Sequence, residues 1–360
     1  MGSCGMRFMI AGLGSIGRRH LRNLVALGER DIVLFRTGLS TMPDEELEGF
    51  PTERNLEAAL SRSPDAVIVA NPTALHLDVA IPAAQAGCHV LLEKPVSGTL
   101  DRTEELRLAA LSGKGRILVG YQYRFHPGLK AVKAWLEADA VGRVLTAAAE
   151  YRDHVPAWHP WEDFRRSYSA RADLGGGVIL TLSHPVDTLE WLLGPGKVAW
   201  AWSAGIAELE LETDAVAMIV EELSGGVTGV IQLDYVTRPR LHRIKVTGTG
   251  GGIRWSEHDG IAHLVRWNTE AEEQAEPPAG FERNDMFLAE LKHFLQVCRG
   301  EESPMCSIED GLQTLKLLVE ARALAAANHT KEPASAPGTG GPGGGPSGGR
   351  AAGEGDPRHG

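Results

Sequence analysis

Residues 7–20 read RFMIAGLGSIGRRH, an apolar run that breaks into Gly12-x-Gly14-x-x-Gly17 and then enters a basic helix start. This commits the opening of the chain to a strand, a tight turn and a helix. Gly12 turns the chain, Gly14 lets backbone come close to a pyrophosphate, and Gly17 lets the helix pack against the strand. The free N–H groups and positive dipole end of the helix, opening at Ser15 and Ile16, then face the phosphates. A chain with 43 glycines among 360 residues produces such patterns by chance, so context carries the reading. Here Ile16, Leu21, Leu24, Val25 and Leu27 fall on one helical face, and Gly28 supplies a C-terminal stop.

The alternation continues in the manner of a parallel, doubly wound sheet. Strands are expected at 31–35, 65–70, 89–92 and 116–119, with helices at 55–61, at 75–86 with an interruption at Pro82, and at 99–111. Near Gly120 the rhythm changes. A helix at 126–138 precedes alternating segments at 143–151, 198–206, 214–223, 227–236, 242–248 and 253–257, with Ser224-Gly225-Gly226 as a hairpin turn. These predict an antiparallel sheet into which a helix over 176–193 is inserted, closed by helices at 284–298 and 308–327. The expected class is α/β. It comprises an N-terminal Rossmann domain (1–120), a second α/β domain with a largely antiparallel, open-faced sheet (121–330), and a disordered Gly/Pro-rich tail (331–360). With helices on one face only, the other face of the second sheet is expected to be apolar, uncovered and prone to self-association.

At 360 residues and 43% hydrophobic content the chain can bury two cores. Its net charge of −11, with basic residues scattered rather than clustered, points away from nucleic acid and anionic membrane surfaces. No apolar run approaches the ~20 residues of a transmembrane helix. The glycine-rich start is not a signal peptide, Arg18-Arg19 has no following apolar region, and Met6 stands where myristoylation needs Ser or Thr. A cytoplasmic protein is expected. Cys4, Cys88, Cys298 and Cys306 form no CxxC and no close set with histidine, as expected of reduced structural thiols rather than a metal site.

Ligands of parallel sheets bind outside the carboxyl ends of the strands. Two loops at such ends carry specific residues: Asn71-Pro72-Thr73 with His76 just beyond, and Glu93-Lys94-Pro95. Most lysines are simply solvated. Lys94, however, follows an apolar strand and precedes a proline, which fixes its direction.

In these residues the chain resembles the glucose-fructose oxidoreductase and inositol dehydrogenase family, Gfo/Idh/MocA. The resemblance rests on AGLGSIGRRH (11–20), the run from Ala70 through NPTALHLDVAIPAAQAG to HVLLEKP (89–95), GYQYRFHP (120–127), GGGVILTLSHPVD (175–187) and SIEDGLQTLKLLVEA (307–321), and it extends from Arg7 to about Ala327. It implies that Lys94 sits between nicotinamide and substrate, with a commonly cis bond to Pro95. It also implies that His184 is an acid/base partner, that Asp187 touches substrate hydroxyls, and that dimers or tetramers form through the second sheet. Many members carry Asp four residues before that histidine; here the position is Leu180.

Chemistry supports the same residues. Hydride transfer at a carbinol carbon needs a partner for the hydroxyl proton with a pKa near the working pH, which histidine has unaided. A nearby ammonium stabilises a developing alkoxide, and burial or another cation lowers its own pKa. Without the acid at Leu180, His184 lacks an orienting partner; it reads either as a base or as a core histidine.

The end of the second strand reads Val33-Leu34-Phe35-Arg36-Thr37 and offers no acid to a ribose 2′-hydroxyl. Arg36 either pairs a 2′-phosphate or lies on the surface, so the expected cofactor is NAD(P) with a slight lean to NADP. On the substrate side stand Tyr123 and Arg124 at the domain junction and the loop Trp158-His159-Pro160-Trp161-Glu162-Asp163-Phe164-Arg165. In that loop Trp161 and Arg165 are candidates to stack on and pair with a sugar. The expected function is an NAD(P)-dependent oxidoreductase acting on a sugar, a cyclitol or a derivative that includes nucleotide-activated sugars. The alternative is a cofactor-binding sensor or partner subunit without turnover, which has no need of Lys94 and His184.

Overall fold

Five short segments form the interior of the first sheet because each carries an uninterrupted apolar run, the pattern of strands covered on both faces. In the computed structural model, which describes residues 5–38, 42–269 and 271–329, these are β1 (Phe8–Ala11), β2 (Ile32–Phe35), β4 (Ala66–Val69), β5 (His89–Glu93) and β6 (Ile117–Gly120); the two-residue β3 (Thr52–Glu53) pairs with the edge. The order is β3-β2-β1-β4-β5-β6, every pair parallel. Helices α1 (Ser15–Ala26), α2 (Leu56–Leu60), α3 (His76–Gln85) and α4 (Thr103–Ser112) make the crossovers. Gly28, at φ +94°, follows the end of α1, and the Asn55 side chain accepts from Ala58 N at 3.0 Å to start α2. The expected interruption at Pro82 is absent: α3 runs through it. The carbonyl it leaves without a donor is that of Asp78, on the exposed side of the helix, where water can serve.

The second half begins with α5 (Pro127–Glu137) and builds an eight-stranded sheet from β7 (Val144–His154), β8 (Gly196–Ala204), β9 (Val216–Leu223), β10 (Val227–Asp234), β11 (Val236–Gly248), β12 (Gly251–Ser256), β13 (Ala262–Arg266) and β14 (Glu272–Ala275). Its order is β14-β13-β12-β11-β7-β10-β9-β8, antiparallel except where β10 lies parallel to β7. The pattern over 262–275 was too short and too polar to announce β13 and β14. The helix expected over 176–193 is two helices, α6 (Val178–Thr181) and α7 (His184–Leu193). Its break at Leu182–Ser183 becomes important below. The last two, α8 (Arg283–Arg299) and α9 (Ile308–His329), return to the first sheet: Leu291, Phe294, Leu295, Ile308 and Leu315 join its core. The tail expected over 331–360 lies outside the described residues.

The outward face of the second sheet corrects one expectation. It is apolar only across β8, β9, β10 and part of β7, where the cross-strand row runs Trp200, Val220, Val230, Ala148. Trp200, Met218 and Val230 are exposed. The same row continues into Lys245 and Arg254, and the β11–β13 half is charged, with Arg243 paired to Glu150 and Arg254 to Glu272.

Candidate active site

The parallel sheet gathers Gly12, Gly14, Ser15, Ile16, Gly17, Arg36, Thr37, Asn71, Pro72, Thr73, Glu93 and Lys94 along the carboxyl ends of β1, β2, β4 and β5. A Cβ on Gly12, at φ +91°, would lie 2.5 Å from Asn71 N, and one on Gly17 would lie 1.9 Å from the Gly12 carbonyl oxygen. Only glycine fits either position. A Cβ on Gly14, by contrast, would meet no protein atom within 4 Å. Gly14 is the N-cap of α1, which has no capping side chain and no acid in its first turn. The positive end of the helix therefore faces open space without a protein anion, which suits a dinucleotide pyrophosphate.

His76, an expected cofactor contact, is held between two main-chain carbonyls. Its ring is buried, with Nδ1 2.9 Å from the Pro95 carbonyl and Nε2 3.0 Å from the Asn71 carbonyl, so it spans the two strand-end loops. Burial lowers its proton affinity and keeps it neutral. Glu93 points inward onto His20, at 2.8 Å. Burial works against the Glu93 carboxylate, yet the His20 hydrogen bond and the nearby ammonium of Lys94 hold the group below its usual range.

Lys94 is the partly accessible member of this group, and its bond to Pro95 is cis. Burial pushes its ammonium down to about 8, with Glu93 opposing and Arg283 assisting. Its Nζ donates to the Thr181 carbonyl at 2.8 Å. That carbonyl ends α6 and has no helical donor, because the residue four positions on is Pro185, which lacks an N–H. The broken helix thus offers a free acceptor to the lysine.

His184 opens α7, buried against Tyr123 (ring centres 4.7 Å apart) and Tyr121 (5.7 Å). The Gln122 side-chain nitrogen lies 3.3 Å from its Nε2. Burial, followed by the charge of Lys94, holds the ring well below the usual histidine range, so it is neutral. Leu180 is fully buried in the second core and offers His184 no polar partner.

Two expected substrate contacts are paired with each other. Arg124 and Asp187 grip each other, Nη2 to Oδ1 at 2.7 Å and Nε to both oxygens at 3.2 Å, with 4% and 1% side-chain exposure. A buried pair of this kind leaves neither charge for a ligand. Tyr123 is buried and donates to Glu257 at 2.7 Å. Trp161 and Arg165 are exposed on the loop after β7; Arg165 pairs with Asp163 and Glu210, and no described contact brings either residue to Lys94. Sequence reasoning did not single out the Thr181 carbonyl, Gln122 or His20, which the structure places against Lys94, His184 and Glu93. Of these only Thr181 left a signal, in Pro185 four residues later. Among the described residues no cluster of three or more His, Cys, Asp or Glu is placed to hold a metal, and no helix is long and apolar enough to cross a membrane.

Residues 6–121 match the oxidoreductase family with an NAD-binding Rossmann fold, and residues 129–254 match the GFO/IDH/MocA C-terminal domain. The chain belongs to the Gfo/Idh/MocA oxidoreductase family. Among its relatives, myo-inositol 2-dehydrogenase of Thermotoga maritima is 27% identical over 338 residues, spanning 87% of this chain and 94% of that protein. Levoglucosan dehydrogenase, solved with NADH and levoglucosan, has the same fold with a TM-score of 0.80 at 18% identity, over 90% of this chain and 98% of that one. The WlbA dehydrogenase of Bordetella pertussis, solved with NADH and UDP-GlcNAcA, gives 0.74 at 23% identity, over 90% and 97%. The chain is a nicotinamide-dependent oxidoreductase rather than a sensor.

Pro185→Ala supplies an N–H that competes with Lys94 for the Thr181 carbonyl. Steady-state assays are expected to show kcat lowered by up to about tenfold, the worth of one hydrogen bond, with NADH affinity retained. An unchanged kcat would show that this bond does not position the lysine.

Proposed function

We propose that the protein moves hydride between a nicotinamide cofactor and a carbinol or keto carbon of a sugar, cyclitol or sugar derivative, with Lys94 as the proton donor and acceptor. The observation that carries this is a half-buried lysine with a pKa of about 8, fixed at the carboxyl end of β5 by its bond to the Thr181 carbonyl, in a sheet whose first helix has an uncapped N-terminus. The bound nicotinamide supplies the hydride acceptor or donor. In oxidation Lys94, as the amine, takes the hydroxyl proton; in reduction the ammonium returns it and stabilises the developing alkoxide. His184 is neutral and tied to Gln122, so it orients rather than titrates. The compounds named for the relatives, myo-inositol and levoglucosan, are consistent with this class.

The sign of the pH dependence follows. Oxidation needs the amine, so its kcat/KM is expected to rise with pH and level off above about 8; reduction needs the ammonium and falls above about 8. Neither profile is expected to break in the ordinary histidine range. Lys94→Ala should lower kcat by roughly 10² to 10⁴ while cofactor still binds. Near-wild-type turnover by that variant would refute the mechanism.

For the cofactor we propose NADP over NAD. Arg18, Arg22 and Arg36 face Asp44 and Glu46 at the adenosine end, which leaves a net positive charge. Asp44 opposes this reading: it lies 2.7 Å from Arg36, and a 2′-phosphate has to displace it. Arg36→Ala is expected to weaken NADP binding by about 1.5 to 3 kcal/mol and leave NAD nearly unchanged. Equal losses in fluorescence titrations with the two cofactors would contradict the assignment.

We further propose a homodimer or homotetramer that buries the Trp200–Met218–Val230 patch. Light scattering at micromolar concentration is expected to show the oligomer, and Trp200→Glu to reduce its mass. A wild-type monomer would count against it.

A further inference from the structure

At one wall of the cleft two guanidinium groups share one phenyl ring. Arg19 Cζ lies 4.7 Å and Arg283 Cζ 5.9 Å from the centre of the Phe287 ring. Arg19 is about half buried and donates to the Asn284 side-chain oxygen at 3.4 Å. Arg283 has no carboxylate partner among the described residues. Its neighbours in sequence, Glu282 and Asp285, are engaged in the capping box of α8: the Glu282 side chain takes the N–H of Asp285, and the Asp285 side chain takes that of Glu282 at 2.8 Å. Arg283 is also the first residue of α8, where the helix dipole disfavours a cation. Two adjacent like charges, one of them exposed at the unfavourable end of a helix and neither in an ion pair with a described carboxylate, make a place where an external anion binds favourably.

The shared ring leads back to the chemistry. Phe287 meets His20 edge-on at 6.3 Å, His20 bonds Glu93 at 2.8 Å, and Glu93 precedes Lys94. Across the cleft Arg240 is already satisfied: it donates to Glu257 at 2.6 Å, alongside the Tyr123 hydroxyl at 2.7 Å. Tyr123 packs 4.7 Å from His184 and 4.4 Å from His242, and Tyr151 stacks on His242 at 4.6 Å. The charge of Arg283 acts on Lys94, His184, His242, Tyr123 and Tyr151, so its guanidinium lies in the neighbourhood of all five. Beside His242, the side chains whose charge acts most on His184 are Lys94, Arg283 and Arg240, all cations. An oxidised nicotinamide, when bound, would add one more positive charge.

We propose that the substrate carries the compensating anion, a carboxylate or phosphoryl group that Arg283, backed by Arg19, binds on the α1–α8 side of the cleft while the reacting carbinol lies at Lys94. This rests on the reading of the cleft as the catalytic site and narrows its substrate class to acidic sugars, cyclitols or their phosphorylated derivatives. A guanidinium fork matches the planar geometry of a carboxylate or phosphoryl group and grips it in two places. Anchoring the substrate at a second point selects which hydroxyl meets the lysine.

The test is binding of matched neutral and anionic ligands to the NADH-loaded enzyme, followed by NADH fluorescence: glucose against glucuronate and glucose 6-phosphate, and myo-inositol against its monophosphate. The wild type is expected to favour an anionic member at least tenfold. Arg283→Met is expected to cut that preference about 10- to 100-fold, Arg283→Lys to keep part of it, and the Kd for NADH alone to be the same in all three proteins. Equal binding of neutral and anionic members by the wild type overturns the proposal. So does an Arg283→Met protein that loses NADH affinity but keeps the preference, since the arginine would then serve the cofactor diphosphate. Failure of the Lys94 mechanism would appear in the turnover of Lys94→Ala and leave this binding ratio untouched.

Discussion

The bond from the Lys94 ammonium to the Thr181 carbonyl, at 2.8 Å, is the contact on which the site depends. It joins a strand end of the first sheet to a helix end of the second half of the chain. Three local choices make it possible. An apolar strand carries the lysine out of the sheet into a half-buried position, where desolvation brings its pKa to about 8. A proline at position 185 withholds the donor that would otherwise claim the Thr181 carbonyl. The break at Leu182–Ser183 then turns the chain so that His184 begins a new helix beside it.

The surrounding buried polar groups act as struts. His76 spans the loops after β4 and β5, His20 holds Glu93, and Arg124 holds Asp187. Each joins segments far apart in sequence, and breaking one side of such a buried pair leaves an unpaired polar group or charge that is costly to keep. Residues that read as ligand contacts in the sequence, His76, Arg124 and Asp187, thereby fix the position of those that remain open. The field they leave around His184 is positive, which suits an alkoxide and an acidic substrate.

Much of the architecture was legible because parallel strands buried on both faces leave continuous apolar runs, and the phosphate turn leaves its glycines. Gly12 and Gly17 were readable in role as well as in kind, since backbone closeness admits nothing else. What stayed hidden has a common cause. The partner of Lys94 is a main-chain oxygen, the cations Arg240 and Arg283 come from a strand and a helix start with no motif, and pairing between Arg124 and Asp187 depends on distances that a linear sequence does not carry. The short polar strands β13 and β14 were missed because their place in the sheet comes from neighbours rather than from their own pattern. The outer face of the second sheet was read as uniformly apolar, whereas alternation along β11 and β12 places arginines and a lysine there.

The most direct test of the central claim is the titration of Lys94 itself, by NMR of protein labelled with carbon-13 at the lysine ε-position and assigned with Lys94→Arg. A midpoint near 8 is expected for this one resonance, with the other lysines titrating near 10.4. A Lys94 midpoint at the ordinary lysine value would mean that the side chain is solvated and free of its proposed role, and would contradict the account.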